Sequence, residues 1–177
     1  MREILDPMRD FYIIIGKKEK SIFYLFPMII GIFAFLLFKF IHGNEMFNIV
    51  NFTNDFVNQL ITMLTLFVSF TMAYLSIIVA SNSDSIAELK RTDSKEYYLK
   101  EKGDCTLYQI LISEITYNLL IEIIFLLIVI MEKFIVCIFN NIVLKILLAI
   151  DISIFIHVIV VMVIIVKNIY YSFWKSK

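Results

Sequence analysis

Apolar residues gather in four long blocks, Ile22 to Ile41, Phe56 to Ser83, Leu107 to Met131 and Ile142 to Val166, separated by polar stretches. A helix rises about 1.5 Å per residue, so about 20 apolar residues cross roughly 30 Å of hydrocarbon. The pattern therefore predicts an all-α membrane protein: one domain over residues 1–177 with four transmembrane helices. The first block carries Pro27 and Gly31 and no charge before Lys39, and the second has no charge at all. Glu114 and Glu122 interrupt the third; Lys145, Asp151 and His157 interrupt the fourth.

Between the third and fourth blocks, Glu132-Lys133 and Asn140-Asn141 are both turn-like and flank the apolar piece Phe134 to Phe139. Running either helix through that piece would make it about 33 residues, or about 50 Å, long. A short interfacial segment is the expectation there. Near the N-terminus, Asp6-Pro7 reads as a helix start and Gly16 as a stop. Met8, Phe11, Tyr12 and Ile15 recur at helical spacing, which predicts a short amphipathic N-terminal helix in the inner interface. It would serve as an anchor or as a gate or sensor lever.

Lys and Arg near helix ends set orientation. They crowd the first 20 residues (Arg2, Arg9, Lys17, Lys18, Lys20), the segment 84–106 (Lys90, Arg91, Lys95, Lys100, Lys102) and the tail (Lys167, Lys175, Lys177). The opposite side holds only Lys39 and Lys133. Both termini and the 84–106 loop are expected in the cytoplasm, with Tyr170, Tyr171, Phe173 and Trp174 as an aromatic belt. No cleavable signal is expected, because the first block is too long and no small-residue cleavage site follows it. No lipidation box is present either.

Composition adds exclusions. The chain is 60% hydrophobic and 18% charged, with 16 basic and 16 acidic residues, and it lacks the basic surface a nucleic-acid binder needs. Cys105 and Cys137 fall on opposite sides of the membrane, and no CxxC or metal-type Cys/His spacing occurs. No cofactor or metal is expected. GxSxG, HExxH and P-loop signatures are absent. His42 and His157 fall on opposite sides of the core. Ser153 and His157 are spaced for a dyad, but nothing marks an oxyanion site, so the chain is read as no enzyme. A transporter working alone would show repeats and broken helices, and only Pro27 and Gly31 break anything.

Two polar patterns inside the blocks remain. On the second helix Asn58, Thr62, Thr65, Ser69, Ala73, Ser76, Ala80 and Ser83 share an arc of about 80°. Small and hydroxylic residues either let helices approach closely in lipid or line a pore. On the third, Glu114, Asn118 and Glu122 share one face. From the inner boundary, Glu114 and Glu122 come out at about 10 and 22 Å deep. On the fourth helix His157, Asp151 and Lys145 come out at about 9, 18 and 27 Å. Equal depths predict a Glu114–His157 hydrogen bond and a Glu122/Asp151/Lys145 cluster, acting as a shared-proton or cation site or as a structural network. His157 also shares a stripe with Ser153 and Asn168.

More polar surface than one bundle needs points to a homo-oligomer. The first expectation is a pore or cation channel-like protein with a carboxylate filter. The second is an anchor, sensor or immunity-type subunit that docks a cytoplasmic partner through the 84–106 loop, with Lys90, Arg91, Tyr97 and Tyr98 as contacts. The architecture, small with four spans and cytoplasmic termini, resembles membrane effectors of bacterial defence systems and equally small immunity proteins. Richness in Ile, Phe, Lys and Asn fits an AT-rich bacterial genome, so the expected location is a bacterial inner membrane.

Overall fold

The computed structural model describes residues 6–15, 20–40, 48–99 and 103–174, with side chains except at 95–99, 103 and 172–174. Arg2, Gly16, Lys17, Lys18, His42, Lys100, Lys102, Lys175 and Lys177 lie outside the described residues, as do the side chains of Lys95, Tyr97, Tyr98 and Trp174.

The described residues are helical apart from one small hairpin and short turns. Helix α1 covers Asp6–Ile14, α2 covers Ser21–Phe40, α3 covers Ile49–Ala80 and α4 covers Asp84–Arg91. Strands β1 (Asp93–Leu99) and β2 (Gly103–Thr106) pair antiparallel. Helix α5 covers Leu107–Ile135, and α6 covers Asn141–Trp174. Among the described residues, three helices are long and apolar enough to cross a membrane: Ser21–Phe40, Ile49–Ala80 and Asn141–Tyr171. The expected fourth, α5, is not among them. Its 29 residues are long enough, but Glu114, Asn118 and Glu122 lie on its buried face.

Local chemistry explains the boundaries. Helix α2 opens with a π-helical turn, Ser21–Leu25, before Phe26–Phe40 continues as α-helix. Pro27 is the cause nearby: it has no N–H, and its ring crowds the carbonyl four residues back, that of Phe23. Helix α3 starts two turns before Phe56, because the Asn48 side chain accepts from the N–H of Val50 (3.0 Å) and of Asn51 (3.2 Å). It ends at Ala80, so Ser83 is off the helix. Ser83 instead caps α4, accepting from Ile86 N–H.

By sequence Asp93 reads as the cap of a short helix ending near Gly103, and the structure has a hairpin there instead. Asp84 in the first turn and Lys90 and Arg91 in the last complement the helix dipole over 84–91. Thr92 then turns extended, and Asp93 pairs with Thr106 and Leu99 with Gly103. At α5 a capping box closes the start, with Thr106 accepting from Gln109 N–H and Gln109 accepting from Thr106 N–H.

The α5–α6 connection is tighter than the expected interfacial segment. Phe134 and Ile135 continue α5, a single 3-10 turn takes Val136–Ile138, and the Asn140 side chain accepts from Val143 N–H at 2.9 Å to start α6. Helix α6 then runs 34 residues to Trp174 rather than stopping near Val166. That is about 51 Å, well beyond the hydrocarbon thickness.

Buried side chains form layers along the bundle. Ala34, Phe38, Leu144 and Leu148 fill the end nearest the α5–α6 turn. Val57, Leu60, Leu64, Phe125 and Val129 fill a second layer between α3 and α5. At the other end Phe11, Phe23, Ile86, Leu89, Leu111 and Ile115 join α1 and α4 to the bundle. Gly31 seats α2 on α6: a Cβ there would stand 2.9 Å from Ser153 Cβ and 3.0 Å from the Ala149 carbonyl oxygen. Helix α1 buries Phe11 and Ile14, with Ile15 buried just past its end, and turns Tyr12 outward, where Lys20 Nζ sits 3.8 Å from its ring centroid.

Candidate functional site

The polar groups of the bundle divide into an enclosed set and an outward set. Among the enclosed groups, Glu122 is fully buried between α3 and α5. Its Oε1 accepts from Thr71 Oγ1 at 3.1 Å and from Asn118 Nδ2. Glu122 and Asn118 are one helical turn apart, so a single face of α5 supplies both, and α3 supplies the hydroxyl. In an interior without water such groups are costly wherever partners do not meet them.

Glu114, one turn the other way, accepts from Asn168 Nδ2 at 2.8 Å on each oxygen. The expected Glu114–His157 bond is not made. His157 belongs to a different set. Its Nδ1 lies 2.7 Å from the Phe23 carbonyl oxygen, and its Nε2 lies 3.0 Å from Tyr117 Oη. A carbonyl only accepts, so Nδ1 carries the hydrogen and, in the neutral ring, Nε2 accepts from the Tyr117 hydroxyl. Tyr117 Oη in turn lies 3.4 Å from Tyr24 Oη.

That histidine has a clear reason to be in a membrane helix. The Phe23 carbonyl would normally accept from the N–H of residue 27, and residue 27 is proline. His157 supplies the missing donor from α6. Tyr24 stacks on the imidazole with ring centroids 5.4 Å apart, and Phe11 of α1 stacks on Tyr117 at 3.6 Å. Four elements, α1, α2, α5 and α6, thus meet at one proline-freed carbonyl.

The expected Glu122/Asp151/Lys145 cluster is also corrected. Asp151 stands beside Glu132, not Glu122, and neither Glu122 nor Asp151 pairs with Lys145 among the described residues. Asp151 is buried, and its two carboxyl oxygens have no hydrogen-bond partner within bonding geometry. Lys145 is buried too. Both corrections slip the same way: Asn168 takes the place expected of His157, and Glu132 the place expected of Glu122. Each is ten or eleven residues further along, or about three turns. The depth argument fails because α5 continues to Ile135 and α6 to Trp174, so apolar block ends do not mark a common plane.

The outward set lies on α3. Asn58, Thr62, Thr65, Ser69, Ala73, Ser76 and Ala80 are all exposed on the outer face of the bundle. The inward face of the same helix is Val57, Leu60, Leu64, Thr71 and Ile78. Close packing of the stripe against another helix of the same chain is therefore not what it does. The hydroxyls of Thr62, Thr65, Ser69 and Ser76 donate back to the carbonyl four residues earlier, at 2.7–3.0 Å. The Asn58 and Gln59 amides make no side-chain hydrogen bond among the described residues. In the α4 segment Lys90 and Arg91 are exposed, and Lys90 Nζ sits 4.8 Å from the Tyr108 ring centroid.

Thr71, Tyr117 and Glu132 in the interior, and Tyr24 at its edge, are the partners that pattern reading missed. Thr71 lies off the stripe, the tyrosines sit singly among apolar residues, and Glu132 reads as a turn. Only the Pro27 and His157 pair carried a signal, a freed carbonyl and a donor, and their separation in sequence hid it. Among the described residues no group of His, Cys, Asp and Glu is arranged to hold a metal ion, and neither Cys105 nor Cys137 is in a disulfide. Comparison with protein-family models, curated proteins and solved structures yields no match.

Proposed function

We propose that this protein is a non-enzymatic, multi-pass membrane protein that assembles with further copies of itself around the outward stripe of α3, forming a pore-like path. One observation carries the reading. Seven small or polar positions over six turns of one helix all face away from their own bundle, and the Asn58 and Gln59 amides there lack a partner among the described residues. In hydrocarbon such amides are satisfied by another protein chain or by water. A ring of copies with this stripe toward a shared axis supplies both. Hydroxyls that bond their own backbone keep oxygen lone pairs free to face water.

In this reading α5 is the fourth span, with its polar face turned into the bundle and Ile124, Leu127, Ile128 and Met131 open to lipid. The basic ends at α1, the α4 segment and the tail face the cytoplasm of a bacterial cell. Glu114 and Glu122 hold the subunit together and do not line the path, because both are enclosed within the chain. Any preference for cations then comes from the amides and hydroxyls of the stripe.

The test is ion flux from the purified protein in liposomes, with oligomer mass measured in parallel. The expected result is a defined oligomer with flux that falls at least about tenfold in Thr65→Leu/Ser69→Leu, because leucine in the path removes the water-facing oxygens. Vesicles that stay ion-tight around a defined oligomer would overturn the pore and leave the assembly. The second reading, an anchor that docks a cytoplasmic partner, is favoured by the folded α4–hairpin unit with Lys90 and Arg91 exposed. It expects charge reversal at those two positions to abolish activity while the stripe substitutions leave it intact.

A further inference from the structure

Two carboxyl groups of the bundle face each other without a donor between them. Asp151, on the third turn of α6, is 1% exposed, and neither of its oxygens has a hydrogen-bond donor. Its neighbour is the carboxyl of Glu132 on the last turn of α5, itself 7% exposed and close enough that a hydrogen on one would bond the other. A carboxylate only accepts, so two of them at this spacing leave both without a donor and repel. One added hydrogen removes both costs: the O–H of one donates to the other, and two buried charges become one.

The charged groups around the pair do not take the place of that hydrogen. On α6, Lys145 stands about 120° round the helix axis from Asp151 and pairs with neither acid, being engaged elsewhere. His157, further along α6, is held by the Phe23 carbonyl and Tyr117. On α5, Glu122 is held by Thr71 and Asn118, and Lys133 is exposed. Lys39 of α2 and Asp55 of α3, the other long helices packed on α6, are exposed as well. Both Asp151 oxygens are closed to water, and among the described residues no third acid, histidine or cysteine joins the pair to make a metal site. The gap suits a hydrogen and not a hydrated cation.

We propose that Glu132 and Asp151 form a proton-binding site that joins α5 to α6 through one shared hydrogen and turns repulsive when that hydrogen is lost. Loss breaks one O–H bond, leaves its electron pair on the carboxyl oxygen and passes the proton to water. Glu132, the less enclosed of the two, is where water reaches the pair. The folded chain then holds a proton that two separate, solvated carboxyls release above about pH 5. Stability falls as pH rises, because the unfolded state binds fewer protons, until the pair itself is ionised. The α5–α6 joint beside the Val136–Ile138 turn is the part of the bundle that loosens in alkali.

The experiment is infrared difference spectroscopy of the full chain in liposomes at neutral pH, reading the carbonyl stretch of protonated carboxyls. Asp151→Asn and Glu132→Gln each keep the side-chain shape and supply an N–H to the remaining carboxylate, so neither removes the joint. Both are expected to abolish the same band, because the hydrogen belongs to the pair. Glu122→Gln, the control acid, is expected to leave that band in place. A band lost in only one of the two variants overturns the proposal, since the hydrogen would then belong to a single acid. A spectrum in which neither variant removes a protonated-carboxyl band overturns it, as does a band abolished by exchanging potassium for sodium at fixed pH. Unfolding in detergent gives a second, independent measure. From about pH 6 to about pH 8 the unfolding constant of the parent, divided by that of Glu132→Gln, is expected to rise about tenfold per pH unit. An unchanged ratio overturns the proposal as well.

Discussion

The inward face of α5 and the outward face of α3 are both polar stripes on long, mostly apolar helices, yet they spend their polarity in opposite ways. On α5, Glu114 and Glu122 reach side chains of other helices, at Asn168 and Thr71, and Asn118 holds Glu122 from one turn away. On α3, Thr62, Thr65, Ser69 and Ser76 reach only their own backbone. Interhelical bonds fix which residues of α3, α5 and α6 stand level. Bonds to the backbone one turn back fix nothing between helices, and they leave the surface they cover open to something else. A polar stripe is therefore a statement about assembly only once its partners are known. Where the partners lie inside the chain the stripe holds the subunit, and where they lie on the same helix it is free for a second copy.

This contrast fails first, if it fails, at Asn118. Replacing it by leucine removes one of the two donors to Glu122 and leaves a buried carboxyl with Thr71 alone. The expected loss is about 2 kcal/mol of stability, since a buried carboxyl left short of a donor bears its desolvation cost. Thermal unfolding of the purified protein in detergent reads it. A loss below about 0.5 kcal/mol, the range of ordinary surface substitutions, would mean that the α5 stripe is no more structural than the α3 stripe.

A smaller effect is expected where the donor serves backbone rather than carboxylate. His157 answers the carbonyl that Pro27 leaves unpaired, so the two residues should be coupled. Pro27→Ala restores an N–H one turn beyond Phe23, after which His157→Leu has less to remove. In a double-mutant cycle the coupling is expected at about 1 kcal/mol, with His157→Leu milder in the Pro27→Ala background. Additive effects would show that His157 is a packing residue and that the carbonyl finds its donor elsewhere.

Much of this arrangement was legible in the chain, and the part that was not has a physical cause. Long apolar blocks announced α2, α3 and α6, because length and hydropathy are properties of a single segment. Periodicity also placed Asn58 through Ala80 on one face of α3, and Glu114, Asn118 and Glu122 on one face of α5. What periodicity does not carry is what stands opposite a face. Ser83 was drawn into the α3 stripe because its phase matches, while an N-cap preference decided its place in the fold. Partners across helices depend on register, and register depends on where the turn between α5 and α6 falls. Moving that turn to Val136–Ile138 and lengthening α6 to Trp174 exchanged His157 for Asn168 opposite Glu114. Similarly, the segment from Asp93 looked like a capped helix by composition, and pairing of Leu99 with Gly103 made it a strand.

The smallest change to the folded subunit is expected on α3 itself, and it sharpens the comparison most. Thr65→Val and Ser69→Ala remove hydroxyls that donate to Ile61 and Thr65 carbonyls, which already belong to the helix ladder. Neither side chain touches the core layer of Val57, Leu60 and Leu64 on the other side of the helix. Unfolding of the subunit in detergent should therefore shift by no more than about 0.5 kcal/mol, the range of surface substitutions. Oligomer mass is the contrasting readout. If copies meet around this face, the same pair should weaken assembly, while Asn118→Leu lowers subunit stability at unchanged stoichiometry in whatever fraction stays folded. The opposite pattern, with assembly lost in Asn118→Leu and untouched in Thr65→Val/Ser69→Ala, would move the meeting surface off α3. The outward hydroxyls would then be what their backbone bonds alone make them, oxygens hidden from lipid by the helix that carries them.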